Sequence, residues 1–164
     1  MNKIREAPDH HDADLVLKLY DLRREPVMRQ SRDAMGKFFP RTWEDVLAVT
    51  KPDHPHNTAW RQVGSYFEMA YGFARHGVVN PDFLAESTAE GLFLFAKVQP
   101  FLQQYRAEVS PLAFSNAEWL VANSAAAKQR FELFQKRVRT MIETADALQA
   151  RTTARATGSP PRDR

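Results

Sequence analysis

Histidine is the side chain in this sequence with the widest chemical range, and the five copies fall in three places. His10 and His11 stand beside Asp12 and Asp14, His54 and His56 follow Asp53, and His76 is alone. Metal chemistry needs ligands that converge, as in the i, i+4 histidine pair of a zinc helix or the E-x-x-H of a di-iron bundle. Neither spacing occurs. His10 and His11 are adjacent in an N-terminal stretch, and His54-Pro55-His56 lies in a proline-punctuated loop, so both groups read as solvated histidines and no metal is expected. His76 follows the last apolar residue of a helical pattern, where a partly cationic ring suits the negative end of the helix dipole.

Carboxylates give the next possibilities. Glu86 and Glu90 are one helical turn apart and would share a proton if both were buried. Glu68 is more distinctive, because Gly64 and Gly72 stand one turn before and after it. Glycines at that spacing let another helix approach closely, and a carboxylate at such a crossing needs a cationic partner. Arg29 and Arg32, three residues apart, are the expected donors, with Arg106 as the other candidate. A structural ion pair of Glu68 with Arg29 or Arg32 is the primary expectation. Its functional alternative is a small-molecule or metal-binding helical domain built on the same three residues.

Nucleophile and phosphate motifs are absent: the chain has no G-x-S-x-G, no S-x-x-K, no P-loop and no G-x-G-x-x-G. It also has no cysteine, which removes thiolate chemistry and disulfides. The chain therefore reads as non-enzymatic and without a cofactor.

The elements that would carry these residues are helical throughout. Asp12 is placed to cap a helix bearing Leu15, Leu19 and Leu22. Pro26 starts a second, with Val27, Ser31, Ala34 and Phe38 on one face. Thr42 and Asp45 resemble a capping box over a short helix. Trp60, Val63, Phe67, Ala70, Tyr71 and Ala74 then trace one apolar stripe that ends at Gly77. Asn80-Pro81 opens an apolar helix running to about Arg106, central in the fold and kinked or split at Pro100. Ser115 and Glu118 form an S-x-x-E box at the head of a long C-terminal helix. Its seam runs through Ala117, Leu120, Ser124, Ala127, Phe131, Phe134, Val138, Met141, Ala145 and Leu148. The expected fold is all-α, a single bundle of five to six helices with a long C-terminal helix. The expected boundaries are a flexible N-terminus over 1–11, the bundle over 12–150 and a disordered basic tail over 151–164.

Charge has a local origin. The net charge is +3, and residues 151–164 alone hold four arginines against one aspartate, leaving a neutral body. That is not the footprint of a duplex-binding face, so nucleic acid is expected at most as weak tail contacts. The opening residues show no apolar core of a secretory signal, and the longest apolar run, 91–96, is far short of a bilayer span. A cytoplasmic location is expected.

Two stretches are familiar. Residues 15–24 (LVLKLYDLRR), with Met28-Arg29-Gln30-Ser31-Arg32, resemble the opening of a family of small, uncharacterised all-helical bacterial proteins. Tyr66-Phe67-Glu68-Met69-Ala70 and residues 76–83 (HGVVNPDF) are similar to the middle of that family, the likeness covering about 14–140. The resemblance implies a helical fold and carries over no catalytic residue. What remains is a domain acting through protein contacts. Self-association as a homodimer, or contact with another protein, is the expected mode, through the large apolar half of the last helix, Phe131, Phe134, Val138 and Met141; the alternative is that the helices of residues 12–38 cover this half within the chain.

Overall fold

Several helices in this molecule begin where a side chain satisfies the first free amides. In the computed structural model, which describes residues 7–157, nine α-helices and one 3-10 turn are formed. Helix α1 (His10–Arg24) is capped by Asp9, whose carboxylate accepts from the amides of His11 and Asp12. Asp12 is therefore not the cap. It is the third residue of the helix, fully buried, and accepts from the amides of Asp9 (2.9 Å) and Asn80 (3.2 Å). His10 and His11 accordingly open α1 rather than preceding it.

Glu25 caps α2 (Pro26–Lys37), with Pro26 in the first turn as its missing amide allows. The buried face of α2 is Met28, Ser31 and Met35; Ser31 is as expected, while Met28 and Met35 take the places of Val27 and Ala34, and Val27 is exposed. Thr42 and Asp45 form the anticipated capping box of α3 (Trp43–Val49). The whole apolar stripe of α4 (Asn57–Arg75) is buried, and Gly77 takes the left-handed conformation (φ 71°) that ends it.

The chain from 81 to 108 is not one helix split at Pro100. It forms α5 (Pro81–Ser87), α6 (Glu90–Val98), a 3-10 turn at Gln99–Phe101 and α7 (Leu102–Glu108). The additional break lies at Thr88, whose hydroxyl donates to the Leu84 carbonyl (2.7 Å) while its own carbonyl accepts from the buried Tyr71 hydroxyl (2.8 Å). These bonds replace the helical ladder, so no glycine or proline is needed there. As expected, α6 is the most buried helix, exposed only in part at Phe93 and Glu90.

The long C-terminal helix is likewise two. The segments α8 (Ser115–Asn123) and α9 (Ala125–Thr157) are separated by Ser124 in extended conformation. Ser124 donates to Asp82 of α5 (2.6 Å) and accepts from the Ala127 amide (3.0 Å), and Asp82 also accepts from the Ala126 amide (3.1 Å). A carboxylate from another helix thus favours starting α9 anew at 125. The expected count of five to six helices falls short because these breaks were read through. Helicity also continues past Ala150 to Thr157; residues 158–164 of the expected disordered tail lie outside the described residues.

Helices α4 and α6 form the centre. α2 and α8 flank α4, and α9 lies along α6 and α5. Phe95 of α6 stacks between Phe114 (5.7 Å) and Phe131 (5.0 Å), joining three elements through one column of rings. No helix among the described residues is long and apolar enough to cross a membrane.

Lys97 of α6 is an unusual member of this core, being 2% exposed. Its ammonium donates to the carbonyls of Met35 (2.8 Å) and Gly36 (3.2 Å) at the end of α2. It also lies over the rings of Phe39 (4.0 Å) and Phe93 (4.4 Å). It caps the negative end of a helix dipole with a cation. Burial, with added repulsion from Arg137, pushes its pKa down to about 7. Between that value and 10.5 the unfolded chain holds a proton that the folded chain has released, so this site adds stability as pH rises. The slope is at most about 1.4 kcal/mol per pH unit. Urea unfolding at pH 7, 8 and 9 should show wild type gaining on Lys97→Met; parallel profiles would mean the lysine stays charged throughout.

Candidate functional site

The sequence-derived candidates are distributed differently from the expectation. Arg32 is committed to Glu90, through Nε (3.0 and 2.8 Å) and Nη2 (2.7 Å), and Arg29 donates to the carbonyl of Arg24. The structure does not bring either arginine to Glu68. Glu86 is exposed on α5 and Glu90 begins α6, so these carboxylates do not share one helix face. The ring pairs His10–His11 and His54–His56 are close, at 4.1 and 5.6 Å. Among the described residues no three histidines, aspartates or glutamates converge as metal ligands.

Glu68 is at a helix crossing, as its flanking glycines imply, but its partners are backbone amides rather than arginines. Its carboxylate crosses from α4 to the start of α8 and accepts from the amides of Asn116 (3.1 Å) and Ala117 (2.9 Å). Asn116 returns a bond from its side-chain nitrogen to the Glu68 carbonyl (2.9 Å). The expected Ser115/Glu118 box is not formed: the residue before α8 is Phe114, and Glu118 pairs instead with Arg106 (2.9 Å). Burial raises the Glu68 pKa, while the two amides and the charges of Arg106 and Arg75 oppose the rise. Gly72 fits the close-approach reading, since a side chain there would meet Asn116 of α8 at 3.1 Å.

Beside this junction lies an open groove of about 680 Å³. Its floor is one face of α4, with Thr58, Arg61, Gly64, Ser65 and Glu68, and its far wall is Tyr105, Ser110, Ala113 and Phe114. Three aromatic rings of the lining pack together: Trp60 lies 6.1 Å from Tyr105 and 6.0 Å from Phe114. The size suits a small ligand or a short peptide segment, with polar groups along the α4 face and aromatic rings beside them.

Two features here run against stability. Gly64 sits inside a helix, where glycine is about 0.5–1 kcal/mol worse than alanine, and a side chain at that position would meet no atom within 4 Å. Packing does not require this glycine. Phe114 is the one non-glycine residue with positive φ (55°) among the described residues, a strained conformation held by its ring's contacts with Trp60, Phe95 and Tyr105. Both residues border the groove.

The seam of the last helix divides. Phe131 and Val138 are buried within the fold and Phe134 packs on Phe93 (5.3 Å), so α6 covers this part of the seam. Met141 is 40% exposed, and further along Asp146 pairs with Arg41.

No curated protein and no solved structure matches the chain. One family does, over residues 8–124, and it is described as a domain of unknown function (DUF4760). That span takes in the opening of α1, the Glu68 junction and the groove, and it agrees with the resemblance read from the two stretches above. By this match, covering well over half its length, the chain belongs to the DUF4760 family.

Proposed function

We propose that this chain is a cytoplasmic, non-enzymatic interaction module that holds a peptide segment of a partner protein in the groove along α4. The observation that carries the reading is Gly64. A helix-interior glycine with open space above it weakens the helix, and its one structural consequence is to keep the groove floor clear. The lining suits a peptide: the polar side chains of Thr58, Gln62, Ser65 and Ser110 can meet a backbone, and the aromatic rings can take an apolar side chain. Leu112, between the lining residues Ser110 and Ala113, is 76% exposed and extends the apolar surface outward. No histidine lines the groove, and the Ser65 hydroxyl donates to a backbone carbonyl, so the lining supports no nucleophile–base pair.

This reading moves the interface from the seam of the last helix, most of which is covered within the chain, to the face of α4. Peptides selected from a displayed random library against the wild-type protein test it. The expected result is saturable binding with amide chemical-shift changes concentrated in residues 58–68 and 105–114. Shifts concentrated on the distal part of α9 instead would contradict the groove and return the interface to Met141 and its neighbours.

A further inference from the structure

A second pocket lies between α1, α4 and the α5–α6 connection, apart from the groove. It has a volume of about 250 Å³ and is lined by Val16, Leu17, Tyr20, Arg23, Tyr66 and Thr88, with Ser87 beside them. A cavity of about 150 Å³ can hold a benzene ring, so this one has room for a ring or short alkyl body and a polar head.

The cation in its wall, Arg23, lies over the Tyr20 ring (4.8 Å) but is incompletely partnered by anions and acceptors. Arg23 lies with Nη1 3.7 Å from Glu90, near the outer limit of an ion pair, and its side chain is 18% exposed. Arg32 already holds that same carboxylate at 2.7–3.0 Å. Two guanidinium groups share one carboxylate, leaving one positive charge without a counter-charge in this cluster. Moreover, Nε of Arg23 is a buried side-chain nitrogen with no hydrogen-bond partner among the described residues. A buried cationic donor without an acceptor is unfavourable, and an incoming anion relieves it. Of the hydroxyls in its lining, Tyr66 donates to the Leu19 carbonyl and Thr88 to that of Leu84, while those of Tyr20 and Ser87 are left to assist. Arg23 is the cation in the lining and pairs with a charged head.

The geometry points to a binding site for a small monocarboxylate with an apolar body, its carboxylate paired with Arg23 and its body against Val16, Leu17 and Tyr20. A single surplus charge matches one carboxylate, whereas a dianionic phosphate would bring a second negative charge into a largely apolar wall.

Titration of the full chain with sodium phenylacetate and with neutral phenylacetamide, followed by amide chemical shifts, tests the site. Saturable phenylacetate binding is expected, with shifts at residues 16–23 and 87–88, and about tenfold weaker binding of the amide. Arg23→Gln should weaken phenylacetate by about tenfold and leave phenylacetamide unchanged. Leu17→Trp, at a position 62% exposed in the pocket wall, should block both ligands while keeping Arg23. If Arg23→Gln does not fold, the acid–amide comparison and Leu17→Trp decide the matter. Equal binding of acid and amide, full binding by either variant, shifts confined to the α4 groove, or no saturation by about 10 mM would each overturn the site.

Discussion

Gly91→Ala is expected to destabilise the fold by about 3 kcal/mol, lowering Tm by roughly 6–12 °C. The added methyl would lie 2.5 Å from both Phe67 Cβ and the Tyr71 hydroxyl, with Phe67 Cγ closer still. Neither neighbour can move away easily. Phe67 is 3% exposed and packed edge-on to Tyr66, and the Tyr71 hydroxyl is tied to the Thr88 carbonyl. The strain would have to be taken by separating α6 from α4, the two central helices. The same substitution at Gly64 should do the reverse, stabilising by about 0.5–1 kcal/mol, because open space surrounds that position. Denaturant unfolding of the two variants gives the comparison. A loss below about 1 kcal/mol at Gly91 would mean that α6 and α4 are not in this close contact.

Glu68→Ala should cost about 2–4 kcal/mol, since it strands the amides of Asn116 and Ala117 at the start of α8. Glu68→Gln keeps one good acceptor and should lose about half as much. This pair of variants separates capping from ion pairing. If Arg29 or Arg32 were the true partner, Arg32→Gln would phenocopy Glu68→Ala. Capping predicts instead that Arg32→Gln acts through Glu90 and leaves the amides of residues 115–118 protected from exchange. Rapid exchange at those amides in Arg32→Gln would favour the ion pair.

What could be read in advance mostly follows the range of the interactions, the exceptions being the local Asp9–Asp12 box, hidden by a run of capping residue types, and the Ser115/Glu118 box, which does not form. Asn80-Pro81, Pro26, Thr42 with Asp45, and Gly77 act within a few residues of themselves, so their helix boundaries are visible in the sequence. The stripe of α4 was visible because one buried face imposes its period on the chain. Caps supplied from elsewhere were not. Glu68 reaches α8 and Asp82 reaches α9 across more than forty residues, and a backbone amide has no sequence signature to mark it as the partner. The same reason explains why Glu68 was recognised as a half-buried carboxylate but assigned to the wrong donor. At Thr88 the break depends on the Tyr71 hydroxyl, again a distant group. The seam of Phe131, Phe134 and Val138 shows the limit of periodicity: spacing identifies an apolar face, while what covers that face depends on where α6 lies.

The groove was legible only through Gly64, read at first as room for a neighbouring helix. The structure leaves that room open, and the function proposed for the chain rests on it. Gly64→Gln places a helix-favouring side chain in the groove, its Cβ meeting no atom within 4 Å, so stability and binding should move in opposite directions. The direct measurement is the affinity of a groove-selected peptide for wild type and for Gly64→Gln, with Tm recorded on the same samples. The account predicts a Tm unchanged or raised by roughly 1–4 °C and binding weakened by about tenfold or more. A variant that binds the peptide as tightly as wild type would contradict it.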